Sequence, residues 1–113
     1  MKKIALMMFL MIAPAHGGSA FITGFDDLPL MPGLTELQGE LITFDSPTGR
    51  IIENTVRGTP PRRAVLDFYN ATLPQLGWRK LGHGRFARED ETLRLEFLSP
   101  DLTIRFILRP AEQ

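Results

Sequence analysis

Residues 59–78 read Thr-Pro-Pro-Arg-Arg-Ala-Val-Leu-Asp-Phe-Tyr-Asn-Ala-Thr-Leu-Pro-Gln-Leu-Gly-Trp. In this stretch apolar residues recur at helical spacing. Val65, Phe68 or Tyr69, Thr72 or Leu73, and Leu76 fall on one side, while Arg62, Arg63, Asp67, Asn70 and Gln75 fall largely on the other. Thr59 is placed to act as N-cap, with proline in the first turn, where its missing N–H costs nothing. Gly77 is the expected C-cap. Pro74 removes a hydrogen bond and crowds the preceding turn, which predicts a kinked last turn or an early stop.

On both sides of this helix the hydrophobic period drops to two. Upstream, residues 40–45 alternate around Ile42 and Phe44, and residues 50–57 around Ile52 and Val56, the signature of half-buried strands. Ser46-Pro47-Thr48-Gly49 between them has the composition of a type I turn, so the pair reads as a hairpin. Downstream, residues 78–81 and 85–88 are short strands joined by Gly82-His83-Gly84. Leu93, Leu95 and Phe97 then alternate with Arg94 and Glu96, and Ile104, Phe106 and Leu108 with Arg105 and Arg109, around a turn at Ser99-Pro100-Asp101. The expected fold is α+β: a small, mostly antiparallel sheet with one helix packed on one face, in the order β-β-α-β-β-β, with room for one more strand after the helix. Trp78, Phe68, Phe97 and Phe106 are the expected core anchors.

Residues 25–35 carry Pro29 and Pro32, which favour an ordered but irregular arm. Their P-x-x-P spacing suits an aromatic groove. However, Leu28, Leu30, Met31 and Leu34 call for burial, which lays the arm against the domain's own core. The amino terminus has the pattern of an address. Lys2 and Lys3 form a positive region, residues 4–13 an apolar run ended by Pro14, and Gly18-Ser19-Ala20 a small-residue cleavage site, with Ala13-Pro14-Ala15 as second choice. The run is short for a bilayer span of about 20 residues; the alternative is an uncleaved anchor extended through Phe21 and Ile22. The expected organisation is a signal peptide at 1–20, a Pro-containing arm at 21–38 and a single α+β domain at 39–113, periplasmic or secreted, with no stable membrane anchor after cleavage.

A chain of 113 residues has room for one domain, and 43% hydrophobic with 23% charged residues is a composition that folds. Lys+Arg and Asp+Glu each number 13, so no net field points to nucleic acid or an anionic membrane. Removing residues 1–20 leaves 11 basic against 13 acidic residues. With no cysteine, disulfides and Cys-based zinc sites are excluded.

Pro61, Val65, Phe68-Tyr69, Leu73-Pro74 and Leu76-Gly77-Trp78, with the arm at Leu28-Pro29-Leu30-Met31-Pro32-Gly33, together resemble short exported proteobacterial proteins that have no assigned function. The resemblance implies a leader, arm, hairpin, helix and terminal strands across most of the mature chain. Its motifs are structural, so it carries over no catalytic residue, cofactor or substrate.

Candidate chemistry is sparse. His83 stands between two glycines with no second His or Cys nearby and reads as a turn residue. Ser46 and Ser99 precede prolines outside any G-x-S-x-G elbow. Glu89-Asp90-Glu91 fits a solvated hairpin tip better than a calcium loop, and Asn70-Ala71-Thr72 matches a glycosylation acceptor by chance. Arg62 and Arg63 oppose the helix dipole. With Arg79, Lys80, Arg85 and Arg88 they are the candidate contact for an anionic partner, set against an ordinary charged surface. No metal or cofactor site is expected. The reading is a non-catalytic exported binding or accessory module of the cell envelope, its partner an envelope protein or anionic ligand, met at an open sheet edge or at the basic face. The alternatives are a small periplasmic hydrolase or transferase, which would need a pocket lined by titratable groups, and a structural envelope subunit, which would show a large apolar patch.

Overall fold

Two consecutive prolines decide where the helix begins. The residue before a proline is pushed out of the helical region, so neither Thr59 nor Pro60 can enter it. In the computed structural model, which describes residues 20–98 and 102–111, helix α1 accordingly spans Arg62–Thr72 with Pro61 as N-cap at φ −68°, ψ 158°. This moves the cap from Thr59, and the helix starts without a side-chain acceptor. At the other end Pro74 has no N–H to offer the preceding turn, and the chain tightens into a 3-10 turn, Leu73–Leu76. Gly77, at φ 95°, closes it as expected. Its N–H donates to Pro74 O and the Trp78 N–H to Leu73 O, both at 3.1 Å, the paired bonds of a Schellman motif.

The fold is α+β, as the sequence predicts. The strands are β1 (Leu34–Glu36), β2 (Ile42–Ser46), β3 (Gly49–Gly58), β4 (Arg79–Gly82), β5 (Arg85–Arg88), β6 (Glu91–Leu98) and β7 (Thr103–Pro110). They form one sheet in the order β1-β3-β7-β6-β5-β4, with β2 also paired to β3, and every pairing is antiparallel. The chain therefore leaves β3 near one edge and reaches β4 at the far edge through α1. The helix buries Val65 and Tyr69. The Tyr69 ring meets Phe106 of β7 edge-on at 5.2 Å between centroids. Ile52, Val56, Phe86, Leu93, Leu95, Ile104 and Leu108 complete this face of the sheet, and Trp78 is buried in the same core. Phe68 and Phe97 pack against it partly buried.

The arm belongs to the same core. Ile22, Phe25, Leu28 and Leu34 are buried there, and Leu30 and Met31 pack against it. Its second half, expected to be irregular, forms β1 along the last residues of β3, with Leu34 opposite Gly58. The Tyr69 hydroxyl donates to Pro29 O at 2.7 Å and accepts from the Met31 N–H at 3.1 Å. Asn54, buried in the middle of β3, donates to Thr23 O at 3.1 Å and Glu36 Oε1 at 3.0 Å, while its own oxygen accepts the Thr55 N–H. Two ion pairs fix the tip: Arg50 reaches Asp26 at 3.3 Å and Arg88 reaches Asp27 at 3.0 Å. The turn expected at Ser99-Pro100-Asp101 and the leader at 1–19 lie outside the described residues. Among those described, no helix is long and apolar enough to cross a membrane.

Candidate functional site

Because successive strand residues point to opposite faces, the parity that sends apolar side chains to the helix sends a second set to the uncovered face. The strand register then assembles that set. Arg79 of β4 stands opposite Ala87 of β5, Ala87 opposite Thr92 of β6, and Thr92 opposite Arg109 of β7. In the next row Arg85 stands opposite Arg94, Arg94 opposite Ile107, and Ile107 opposite Glu53. Four arginines thus surround a low floor. Ala87 is buried, and Ile107, although on the uncovered face, is only 4% exposed beneath its neighbours.

This surface forms a groove of about 980 Å³ whose lining includes Arg79, Arg85, Arg94 and Arg109 and no acidic residue. It continues past Ile51 to the β2–β3 turn. Counter-charge is scarce: Arg94 approaches Glu96, and Arg109 approaches Glu53, only to 3.9 Å. Glu96 is engaged more closely by Arg105, at 2.9 Å. Arg79 and Arg85 have no acidic partner among the described residues. Arg85 and Arg94 are a directly opposed like-charge pair, an arrangement that destabilises a sheet when nothing sits between the charges.

The six basic residues expected to share a face are divided between two. Arg79 and Arg85 line the groove. Arg62 instead lies over the Phe97 ring, 4.6 Å from its centroid, on the helix side, and Arg63 is exposed in the first helical turn. Arg88 is a structural connector: it covers Trp78 at 4.3 Å, binds Asp27 and donates to Leu76 O at 2.9 Å. Lys80 stands opposite the fully buried Phe86 and outside the groove lining. The division follows from parity: Arg79 and Lys80 are adjacent in sequence and so face opposite ways. Arg94 and Arg109 are the members the sequence reading did not group with the rest. Their outward parity was visible, but the pairing of β5 with β6 and β6 with β7 was needed to bring them beside Arg79 and Arg85.

The remaining candidates have local roles. Ser46 Oγ donates to Gly49 O at 2.7 Å within the turn. His83 is exposed between β4 and β5. Of the acidic cluster, Glu89 takes a left-handed φ of 55° at the hairpin tip, and Glu91 accepts a two-point bond from Arg50 at 2.8 and 3.2 Å. That hydrogen bonding holds the Arg50 guanidinium above its ordinary pKa. Ile42 and Phe44, expected to be half-buried, are 53% and 60% exposed. Their partners Glu53 and Ile51 point to the uncovered face, so the alternation that should have buried them directs them onto that face instead. No family model, no curated protein and no solved structure matches the chain.

Proposed function

We propose that the chain is a non-catalytic, exported binding module of the bacterial cell envelope that takes an anionic partner on its open sheet face. The observation that carries this reading is the convergence of Arg79, Arg85, Arg94 and Arg109 in a groove with no acid in its lining. Clustering them costs electrostatic energy in the free protein, and an anion relieves that cost. Export rests on the Lys2-Lys3 charge, the apolar run and the small residues ending at Ala20.

The test uses labelled polyglutamate as a general anionic probe. Wild-type protein binds it with an affinity that falls as salt rises, since screening at about 0.15 M acts over about 8 Å. Arg79→Gln/Arg85→Gln binds it at least tenfold more weakly, and Arg62→Gln/Arg63→Gln, altered on the other layer, binds like wild type. Equal binding by all three proteins overturns the reading. Export is tested by the intact mass of protein recovered from the periplasm, which lacks residues 1–20; a mass retaining them overturns it.

A further inference from the structure

Resting on that reading of the open face, we propose that its ligand is held by a phosphoryl group seated over Ala87 and Thr92 and gripped by Arg79, Arg85, Arg94 and Arg109. Neighbouring strands lie about 4.8 Å apart, so Arg79 and Arg109, three strands apart in one row, start about 14 Å from each other across the floor. At rest Arg109 leans the other way, toward Glu53 at 3.9 Å, so holding a ligand over Thr92 requires this long side chain to swing inward. Arg85 and Arg94 are rooted in the adjacent row, about 7 Å along the strands; at rest the Arg85 guanidinium lies beside Gly82 and Arg94 turns toward Glu96, so both swing in when an anion is bound. The residues between Arg79 and Arg109 in their row, Ala87 and Thr92, are small, and both line the groove.

The anion this arrangement fits is compact and carries more than one charge. A single carboxylate is satisfied by one bidentate guanidinium, so it would leave most of this cluster unneutralised. A phosphomonoester carries about −1.5 to −2 charges near neutral pH and three acceptor oxygens on one atom, and the planar arginine fork matches those oxygens in pairs. An extended acidic peptide is the weaker fit. Lying on a sheet face rather than along an edge, it makes no main-chain ladder bonds, and its alternate carboxylates, about 7 Å apart, would meet these arginines one at a time. The groove also runs on past Ile51 and Pro110, which gives the organic body of an ester an apolar wall.

The experiment titrates the purified protein, by calorimetry, with inorganic phosphate, phenyl phosphate and tetraglutamate. Saturable binding of phosphate or phenyl phosphate is expected, and that of phenyl phosphate weakens as pH falls through about 6, where the monoester dianion takes up a proton. Arg85→Gln/Arg94→Gln lowers the affinity at least tenfold without lowering the denaturation midpoint. Ala87→Leu, which changes no charge but fills the floor, lowers it comparably. Tighter binding of phenyl phosphate than of phosphate identifies an ester with an apolar body; equal binding identifies the free anion. Saturation by tetraglutamate alone overturns the phosphoryl assignment and leaves the anion-binding face standing. No saturable binding by any of the three, or phosphate binding unchanged in Arg85→Gln/Arg94→Gln, overturns the proposal.

Discussion

Tyr69 is the chain's one tyrosine, and its hydroxyl joins helix and arm by donating to Pro29 and accepting from Met31. Burial pushes its pKa well above the ordinary value near 10. The unfolded chain therefore loses this proton first as pH rises, while the folded chain keeps it. Stability is complete below about pH 10 and then declines by up to about 1.4 kcal/mol per pH unit until the folded form also ionises. Ultraviolet titration of the phenolate, reading this residue alone, should show no ionisation before unfolding; a normal titration in the folded protein would contradict the buried bridge. Trp78, just past the helix cap, is buried with Arg88 against its ring. Trp78→Ala should destabilise by about 3–5 kcal/mol, the range for deleting a large buried aromatic; an unchanged urea midpoint would refute that role. The burial of Trp78 could be read from the Leu-Gly-Trp ending; helical spacing left Phe68 and Tyr69 as alternatives and favoured Phe68, whereas Tyr69 is the fully buried one and Phe68 packs only partly buried. The partners of the tyrosine hydroxyl could not be read, because they lie 38 and 40 positions away along an irregular segment.

At the level of elements, the helix limits show how local chemistry competes. Pro74 and Gly77 were sound guides to its end, because each acts through its own backbone. The start was misplaced because Thr59 is a good cap by composition, yet the two prolines after it block helical geometry. β1 escaped notice for another reason: three residues are too few to display a period, and only the partner β3 makes them a strand. Arg88 joins β5, the helix end and the arm in one contact set, whereas Arg79, on the edge strand β4, touches no acid among the described residues. Arg88→Gln should therefore cost about 1–3 kcal/mol, a charge-assisted contact being worth more than a neutral one. Arg79→Gln should fall within about 0.5 kcal/mol of wild type, as exposed substitutions do. Chemical denaturation of the two variants side by side checks the division of the basic residues into one structural and one free set; equal losses would erase it.

Across the whole molecule, charge is balanced in number but not in place. The open face carries Arg57, Arg79, Arg85, Arg94, Arg105 and Arg109 against Glu53 and Glu96, so the remaining acids lie elsewhere although the full chain is neutral. The protein should bind a cation exchanger at neutral pH and low salt, and Arg79→Gln/Arg85→Gln/Arg94→Gln/Arg109→Gln should elute earlier. Co-elution would mean that the face is neutralised from within. Strand parity was legible in the sequence, and with it the outward direction of Arg94 and Arg109. The order β7-β6-β5-β4 was not, and only that order sets them around Ala87 and Thr92. The arm has a further consequence, one of timing. Ile22 is fully buried and the Leu30 N–H donates to Ala20 O at 3.1 Å, so the peptide bond after Ala20 adjoins a segment locked into the native core. A protease must draw the chain out straight to cut it. On the proposed export route, removal of the leader and completion of the fold therefore compete for the same few residues. A precursor allowed to reach its native state first should be processed far more slowly than one presented unfolded, making maturation a clock that runs only until the arm docks.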